Sequence, residues 1–311
     1  MLVLATLSIL WGSSFIAIKV VIDVVPPLLA FGIRFVIAGI PLLFFYKFKK
    51  KNINDSGHIS VIFNKRRWKI SLILGSFIIL GGQGLLVWGA QYLSSGMTAL
   101  LNSTIPLWVA IIASITFRQH LTKNMIFGLI AGFSGLIILV NPFTDNNQLS
   151  LVGVISLTLS SILWAIGSLY STKDKNSENI FASGGMLMIV GGLMLIITSF
   201  VIGEFNNLQI SKISLNTIFA YLYLIFLCTS VGYAEFFWLL KVESTTMANS
   251  FAYIVPIIAV FLGWAVFNEN ISIETIIATA VIIIGVALMI KSPSNSTNNF
   301  SNYDGIKKTS V

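Results

Sequence analysis

The feature that most limits how this chain can fold is a succession of ten apolar runs, near 2–22, 27–46, 70–92, 97–117, 125–141, 149–170, 180–203, 217–240, 247–267 and 272–290, separated by short polar breaks. A run of about 20 apolar residues matches the hydrocarbon thickness of a bilayer. Segments such as Ile276 to Ile284 are apolar on every side, whereas the strands of a membrane barrel alternate over roughly ten residues. The runs therefore predict helices, and the fold class is an all-α integral membrane protein with ten transmembrane helices. Only 10% of the residues are charged, against roughly 25% in ordinary soluble domains, which excludes a soluble enzyme. The first run has no basic region before it and no small-residue cleavage site, so it is expected to stay as a spanning helix.

The formal charge of +8 raises nucleic acid as a partner, but that reading needs basic residues on a folded soluble surface. Their distribution points instead to orientation, because cytoplasmic loops retain Lys and Arg. With the N-terminus inside, 16 of the 19 basic residues fall on the inner side, including those of a basic cytoplasmic loop expected over 47–69, and only Lys212 falls outside. Lys19 and Arg34 lie within or at the ends of helices. Both termini are thus expected in the cytoplasm of a cell with this protein in its plasma membrane, and no nucleic-acid partner is expected. The single cysteine, Cys228, excludes an intramolecular disulfide and a thiolate metal cluster.

An offset of 150 residues aligns Gly82 with Gly232, Ser94 with Ser244, Met97 with Met247, Pro106 with Pro256, Phe117 with Phe267 and Gly135 with Gly285. An offset of 153 superposes Ser8-Ile9-Leu10-Trp11 on Ser161-Ile162-Leu163-Trp164. Each half then holds five helices, and an odd number makes the second half enter the membrane from the opposite side. The architecture expected is two inverted five-helix repeats, 1–141 and 149–290, followed by a polar tail, 291–311, rich in Ser and Asn and expected to be disordered. Inverted repeats are a recurring plan of secondary transporters, with the solute held near the midplane.

Several segments also resemble one family. Trp11-Gly12-Ser13-Ser14-Phe15 with Lys19, then Pro26-Pro27 and Arg34, look like the first two helices of the EamA family of the drug/metabolite transporter superfamily. So do Ser94-Ser95-Gly96-Met97-Thr98-Ala99 with Pro106, and Phe267-Asn268-Glu269 followed by Ile271-Ser272. The resemblance covers residues 1 to about 290 and implies a ten-helix bundle that moves metabolites, often exporting amino acids or related solutes, by alternating access. Gln119 stands where the first repeat of the family often has an acidic residue.

Candidate cavity residues are the polar and aromatic side chains inside the runs. Trp11 and Trp164 occupy matched mid-depth positions, each with a serine three residues earlier on the same helical face. Gln83 lies in the glycine-rich Gly81 to Gly84. Asn102 precedes Pro106, and Asn249 and Tyr253 precede Pro256, so polar groups stand beside expected helix breaks where they can contact a solute or satisfy loosened backbone. Tyr233 shares its helix with Glu235, the acidic residue deepest in a run. Ionisable groups in a span are costly and point to function. Arg34 lies about eight residues, roughly 12 Å, in from the Pro26-Pro27 turn and is expected to face the bundle, pairing with Asp23 or helix-end carbonyls, or attracting an anionic solute group. Glu235 is a candidate carrier of a coupling proton, or else an inner-end partner of Lys241; Lys19 is a third charged candidate. Glycines at Gly128, Gly132 and Gly135, and at Gly184, Gly185, Gly191 and Gly192, read as close packing in lipid, and the fourth, fifth, ninth and tenth helices are also compatible with a homodimer.

The function expected is a secondary transporter of small organic metabolites in the lipid bilayer, an exporter of amino acids or related solutes, with no cofactor, no metal and no catalytic residues. The alternative is efflux of cationic or aromatic compounds. A membrane-embedded enzyme would need a nucleophile with its base, paired carboxylates or clustered histidines, yet His58 and His120 sit in separate loops and no acidic pair shares a run. No GxxxxGK[ST] segment occurs, which argues against a nucleotide-driven pump.

Overall fold

A computed structural model describes residues 2–50, 65–117, 121–140, 150–171, 180–242 and 251–290, and among them the backbone is helical with no strand. Helices α1 (Leu2–Ile22), α2 (Pro27–Lys50), α5 (Lys123–Val140), α6 (Leu151–Ser171), α7 (Ile180–Val201), α9 (Phe251–Phe267) and α10 (Ile273–Ile290) are α-helical throughout. Helix α3 runs without a break through Lys65–Leu74, Gly75–Gly84 and Leu85–Ala90, and α8 through Leu215–Leu222, Tyr223–Val231 and Gly232–Val242. The middle stretch of each is wound as a π-helix. Helix α4 is interrupted, with pieces Ser95–Asn102 and Ile105–Phe117. By length and composition six of these stretches can cross a membrane: Leu2–Ile22, Lys65–Ala90, Ser95–Thr116, Leu151–Ser171, Ala182–Val201 and Leu215–Phe236. Pro27–Leu43, Lys123–Leu139, Ile254–Phe267 and Ile273–Leu288 are shorter apolar helices.

The helices pack in matching pairs. Helix α1 lies on α9 as α6 lies on α4, and α1 lies on α8 as α6 lies on α3. Helices α2 and α7 pack on each other, as do α5 and α10. Small residues set the closest approaches, since lipid offers no hydrophobic drive between helices and van der Waals contact must do the work. A Cβ built on Gly285 would lie 2.6 Å from the Gly132 nitrogen, and one on Gly192 would lie 2.7 Å from the Gly32 carbonyl oxygen. The centre is filled by Leu7, Phe31, Phe35, Ile79, Leu195 and Leu224, all fully buried.

Two carboxylates fasten helix starts at one end of the bundle. Glu204 accepts the Leu28 amide at the start of α2 (3.1 Å) and the Ser199 hydroxyl (2.8 Å). Glu269 accepts the Ser95 amide (2.8 Å), the Ser95 hydroxyl and the Gly96 amide at the start of α4. Negative charge at a helix N-terminus satisfies its open donors. Asn268, with φ at 51°, turns the chain at the end of α9; Asn visits the left-handed region more readily than other non-glycine residues. A Cβ on Gly263 would collide with the Glu269 carboxylate and lie 2.7 Å from the Ser95 oxygen, so this clasp needs glycine there.

Two expectations are corrected. The basic segment 47–69 is not all loop: Lys47 to Lys50 continue α2, and Lys65 to Lys69 begin α3, because Lys and Arg favour helix and carry it past the apolar run. Pro256 does not break its helix, which continues through it; a missing amide is tolerated where neighbouring helices surround the backbone. Pro106 does follow a break, and the carbonyls there are taken up by Ser103, bonded to Leu100 (2.7 Å), and Thr104, bonded to Leu101 (2.6 Å). The Asn102 amide has no part in that repair. The tail 291–311, His58, His120 and Asn249 lie outside the described residues.

Candidate functional site

Helix α8 brings four of the candidates together, Trp11, Arg34, Tyr233 and Glu235, because its π-wound stretch faces α1 and α2 from the other half of the chain. The indole of Trp11 donates to the Cys228 carbonyl (3.1 Å). Its ring is enclosed by Tyr233 (5.5 Å between centroids), Phe236 (5.5 Å) and Phe251 (4.7 Å, edge-on). Gly232 allows this approach: a Cβ there would lie 2.6 Å from Trp11 Nε1. Nearby, the Ser13 and Tyr223 hydroxyls share a hydrogen bond of 2.6 Å.

Arg34 faces the bundle, as its depth in α2 suggests, and is 5% exposed. It does not pair with Asp23, which is exposed. Its Nε donates to the Thr229 hydroxyl on α8 (2.5 Å), and that hydroxyl donates in turn to the Leu224 carbonyl five residues back (2.8 Å). The guanidinium carbon stands 4.7 Å from the Phe31 ring centre and 5.4 Å from that of Phe35. Cation–π attraction partly replaces lost hydration. Its Nη1 is buried without a hydrogen-bond partner. The adjacent Tyr221 hydroxyl is committed to the Ala30 carbonyl (2.5 Å).

Glu235 lies on α8 six residues beyond Thr229, roughly 9 Å along a helix axis. Thr6 of α1 donates to its Oε1 (2.9 Å), while Oε2 is buried with no partner. The alternative partner, Lys241, has a side chain outside those described. The half-chains thus meet at a cation, an aromatic cluster and a carboxyl group that lie on or against helix α8.

The matching junction, where α6 meets α3, holds less chemistry. Trp164 packs against Gly82, where a Cβ would lie 3.0 Å from its ring, and Ser160 donates to the Gly82 carbonyl (2.6 Å). Ser161 is fully buried with an unpartnered hydroxyl, whereas its counterpart Ser8 bonds the Leu4 carbonyl (2.7 Å). Gln83 and Asn102 are half-buried, and neither amide forms a hydrogen bond among the described residues. Lys19 sits elsewhere, in a shallow crevice with Phe15, Ile18, Ala90, Leu93, Ser95 and Thr98 beside the Glu269 clasp. The Tyr253 side chain is outside those described, although its backbone belongs to α9.

Thr6, Thr229, Tyr221 and the Cys228 carbonyl were not anticipated. Tyr221, Thr229 and Tyr233 stand eight and four residues apart, a helical-face spacing that marks a polar stripe on α8. The other two were invisible, because they act through tertiary contact and main chain. The arrangement supplies hydrogen-bond donors, rings and one carboxyl group able to hold or release a proton. Among the described residues no group of three or more His, Cys, Asp or Glu converges on a metal position.

The model of the EamA-like transporter family matches the chain twice, over residues 1–141 and 151–291. Among curated relatives, the uncharacterized transporter YoaV of Bacillus subtilis is 25% identical over 92% of this chain and 94% of its own. The uncharacterized inner membrane transporter YedA of Escherichia coli is 28% identical over 92% of this chain and 89% of its own. A solved crystal structure at 14% identity superposes with a TM-score of 0.62, covering 92% of this chain and 94% of the other, and shares the fold.

Proposed function

The chain belongs to the EamA-like transporter family, and from that premise we propose that it is a secondary carrier exporting amino acids or related small organic solutes by alternating access. Residues 1–141 and 149–290 are the two inverted halves, with both termini in the cytoplasm and the bundle in the cell membrane. The observation that carries this reading is that, among the described residues, the two charged groups with a buried unpartnered atom, Arg34 at Nη1 and Glu235 at Oε2, both lie where α8 meets the other half, with the rings around Trp11 beside them; Trp108 Nε1 and Ser161 Oγ, unpartnered elsewhere in the bundle, are neutral. Unpaired charge inside a membrane protein is costly and marks a transport pathway by default. The group lacks a nucleophile with its base, so it suits holding a solute rather than cleaving one.

Rocking of the halves changes what α1 and α2 present to α8, which exposes the solute to one side at a time. Glu235 holds the coupling proton on the oxygen that Thr6 leaves open. An export and tolerance screen across amino acids, their analogues and cationic toxins in overproducing cells tests the carrier reading, with amino acids or their analogues expected to leave the cell faster. In proteoliposomes, Glu235→Gln is expected to flatten the pH dependence of transport, and an unchanged rate and pH profile would sink the coupling role. A second reading, efflux of cationic or aromatic compounds, draws on the rings beside Glu235. Tolerance to cationic toxins without amino-acid export would favour it.

A further inference from the structure

We infer that Arg34 is the seat of a carboxylate on the transported solute, so that the carrier takes monoanionic or zwitterionic carboxylates and not simple cations. This rests on the carrier reading and narrows its substrate class. The described carboxylates other than Asp23, which is exposed, are engaged elsewhere. Glu204 holds the start of α2 and Glu269 the start of α4. Glu235 is bonded to Thr6, and Glu274 is exposed in the first turn of α10, where Ser272 bonds it. None is a resident counter-ion for Arg34, whose Nη1 is buried and without a partner.

A buried cation with an open donor is expensive unless something completes it. The geometry limits what that something is. Nε is committed to Thr229, and the rings of Phe31 and Phe35 lie against the guanidinium. Nη1 is left with its donors unused, and a guanidinium edge is matched to a planar oxyanion by charge-assisted hydrogen bonds. One cation in an aromatic surround offsets one negative charge, so a carboxylate fits better than a dianionic phosphate, whose second charge would have to be desolvated unpaired. Tyr233, 6.4 Å from Phe35 and 5.5 Å from Trp11 between ring centres, joins the guanidinium surround to the Trp11 cluster. The remainder of the solute lies along those rings.

The test uses the purified full chain in detergent and four probes of one shape: benzoate, benzyl alcohol, benzylamine and phenyl phosphate. Benzoate is expected to raise the melting temperature in a saturable way, and the other three to need at least tenfold higher concentration. Arg34→Met should abolish the benzoate shift, and Arg34→Lys, which keeps the charge, should retain a weakened one and serves where the methionine variant does not fold. No benzoate shift in the unaltered protein, an equal response to benzylamine, or a shift that survives unchanged in both variants would each overturn the assignment. A parallel untargeted comparison of solutes exported by overproducing and control cells reads the carrier function separately. No solute differing between the two would remove the carrier reading, whereas exported solutes without a carboxylate would remove only this inference.

Discussion

Trp11 against Gly232 and Trp164 against Gly82 are the same contact made twice, each a tryptophan on the first helix of one half laid over a glycine on the π-bearing helix of the other. They differ in what surrounds them. Trp11 is tied by its indole N–H and enclosed by three rings, with the two unsatisfied charged groups carried on or against the same helix α8. Trp164 uses only its ring edge, and the tie across its junction comes from Ser160. A duplicated scaffold therefore does not duplicate the site. Repetition supplies two close helix contacts, and divergence has loaded one of them with polar groups.

If that comparison is right, enlarging the two glycines has unequal effects. Gly232→Val forces Trp11 away from its carbonyl and is expected to cost about 3 kcal/mol, near the upper end of typical overpacking, and to abolish transport. Gly82→Val meets a ring edge with more room and should cost about 1 kcal/mol less, leaving measurable transport. Thermal melting in detergent and proteoliposome flux compare them, and equal losses would break the contrast. Removing the indole N–H sharpens it: Trp11→Phe should cost about 1–2 kcal/mol through the lost hydrogen bond and packing, Trp164→Phe less than about 1 kcal/mol. The smallest effect is expected from Ser160→Ala, about 1 kcal/mol or less in melting with flux unchanged, since this tie lies away from the charged groups. A flux loss there as large as that for Trp11→Phe would show the second junction to be equally functional.

Much of the scaffold was legible from hydropathy. The runs at 2–22 and 149–170 correspond to Leu2–Ile22 and Leu151–Ser171, and that at 272–290 to Ile273–Ile290, because a helix that must span lipid has its length set by the solvent. The π-wound stretches were not legible, since apolar content says nothing about whether the ladder closes four or five residues back. Pro106 and Pro256 aligned as equivalents, yet one follows an interruption and the other lies in a continuous helix. What distinguishes them is local: Ser103 and Thr104 bond the carbonyls at the interruption. For the site, depth in the run sufficed to single out Arg34 and Glu235. Their partners, Thr229 and Thr6, lie 195 and 229 residues away in sequence, a distance that no local pattern bridges.

At the two tryptophan–glycine junctions the hydrogen bonds end on main-chain oxygens, those of Gly82 and Cys228, near the C-terminal edge of a π-wound stretch. An acceptor of that kind belongs to no particular amino acid. A codon change at either position alters volume but cannot delete it, so the joint is indifferent to much of the drift that side-chain bonds record. What it does depend on is the pitch of the helix that carries it. Rewinding either stretch turns its oxygen away from the neighbour, which makes attachment and winding a single mechanical variable at each junction.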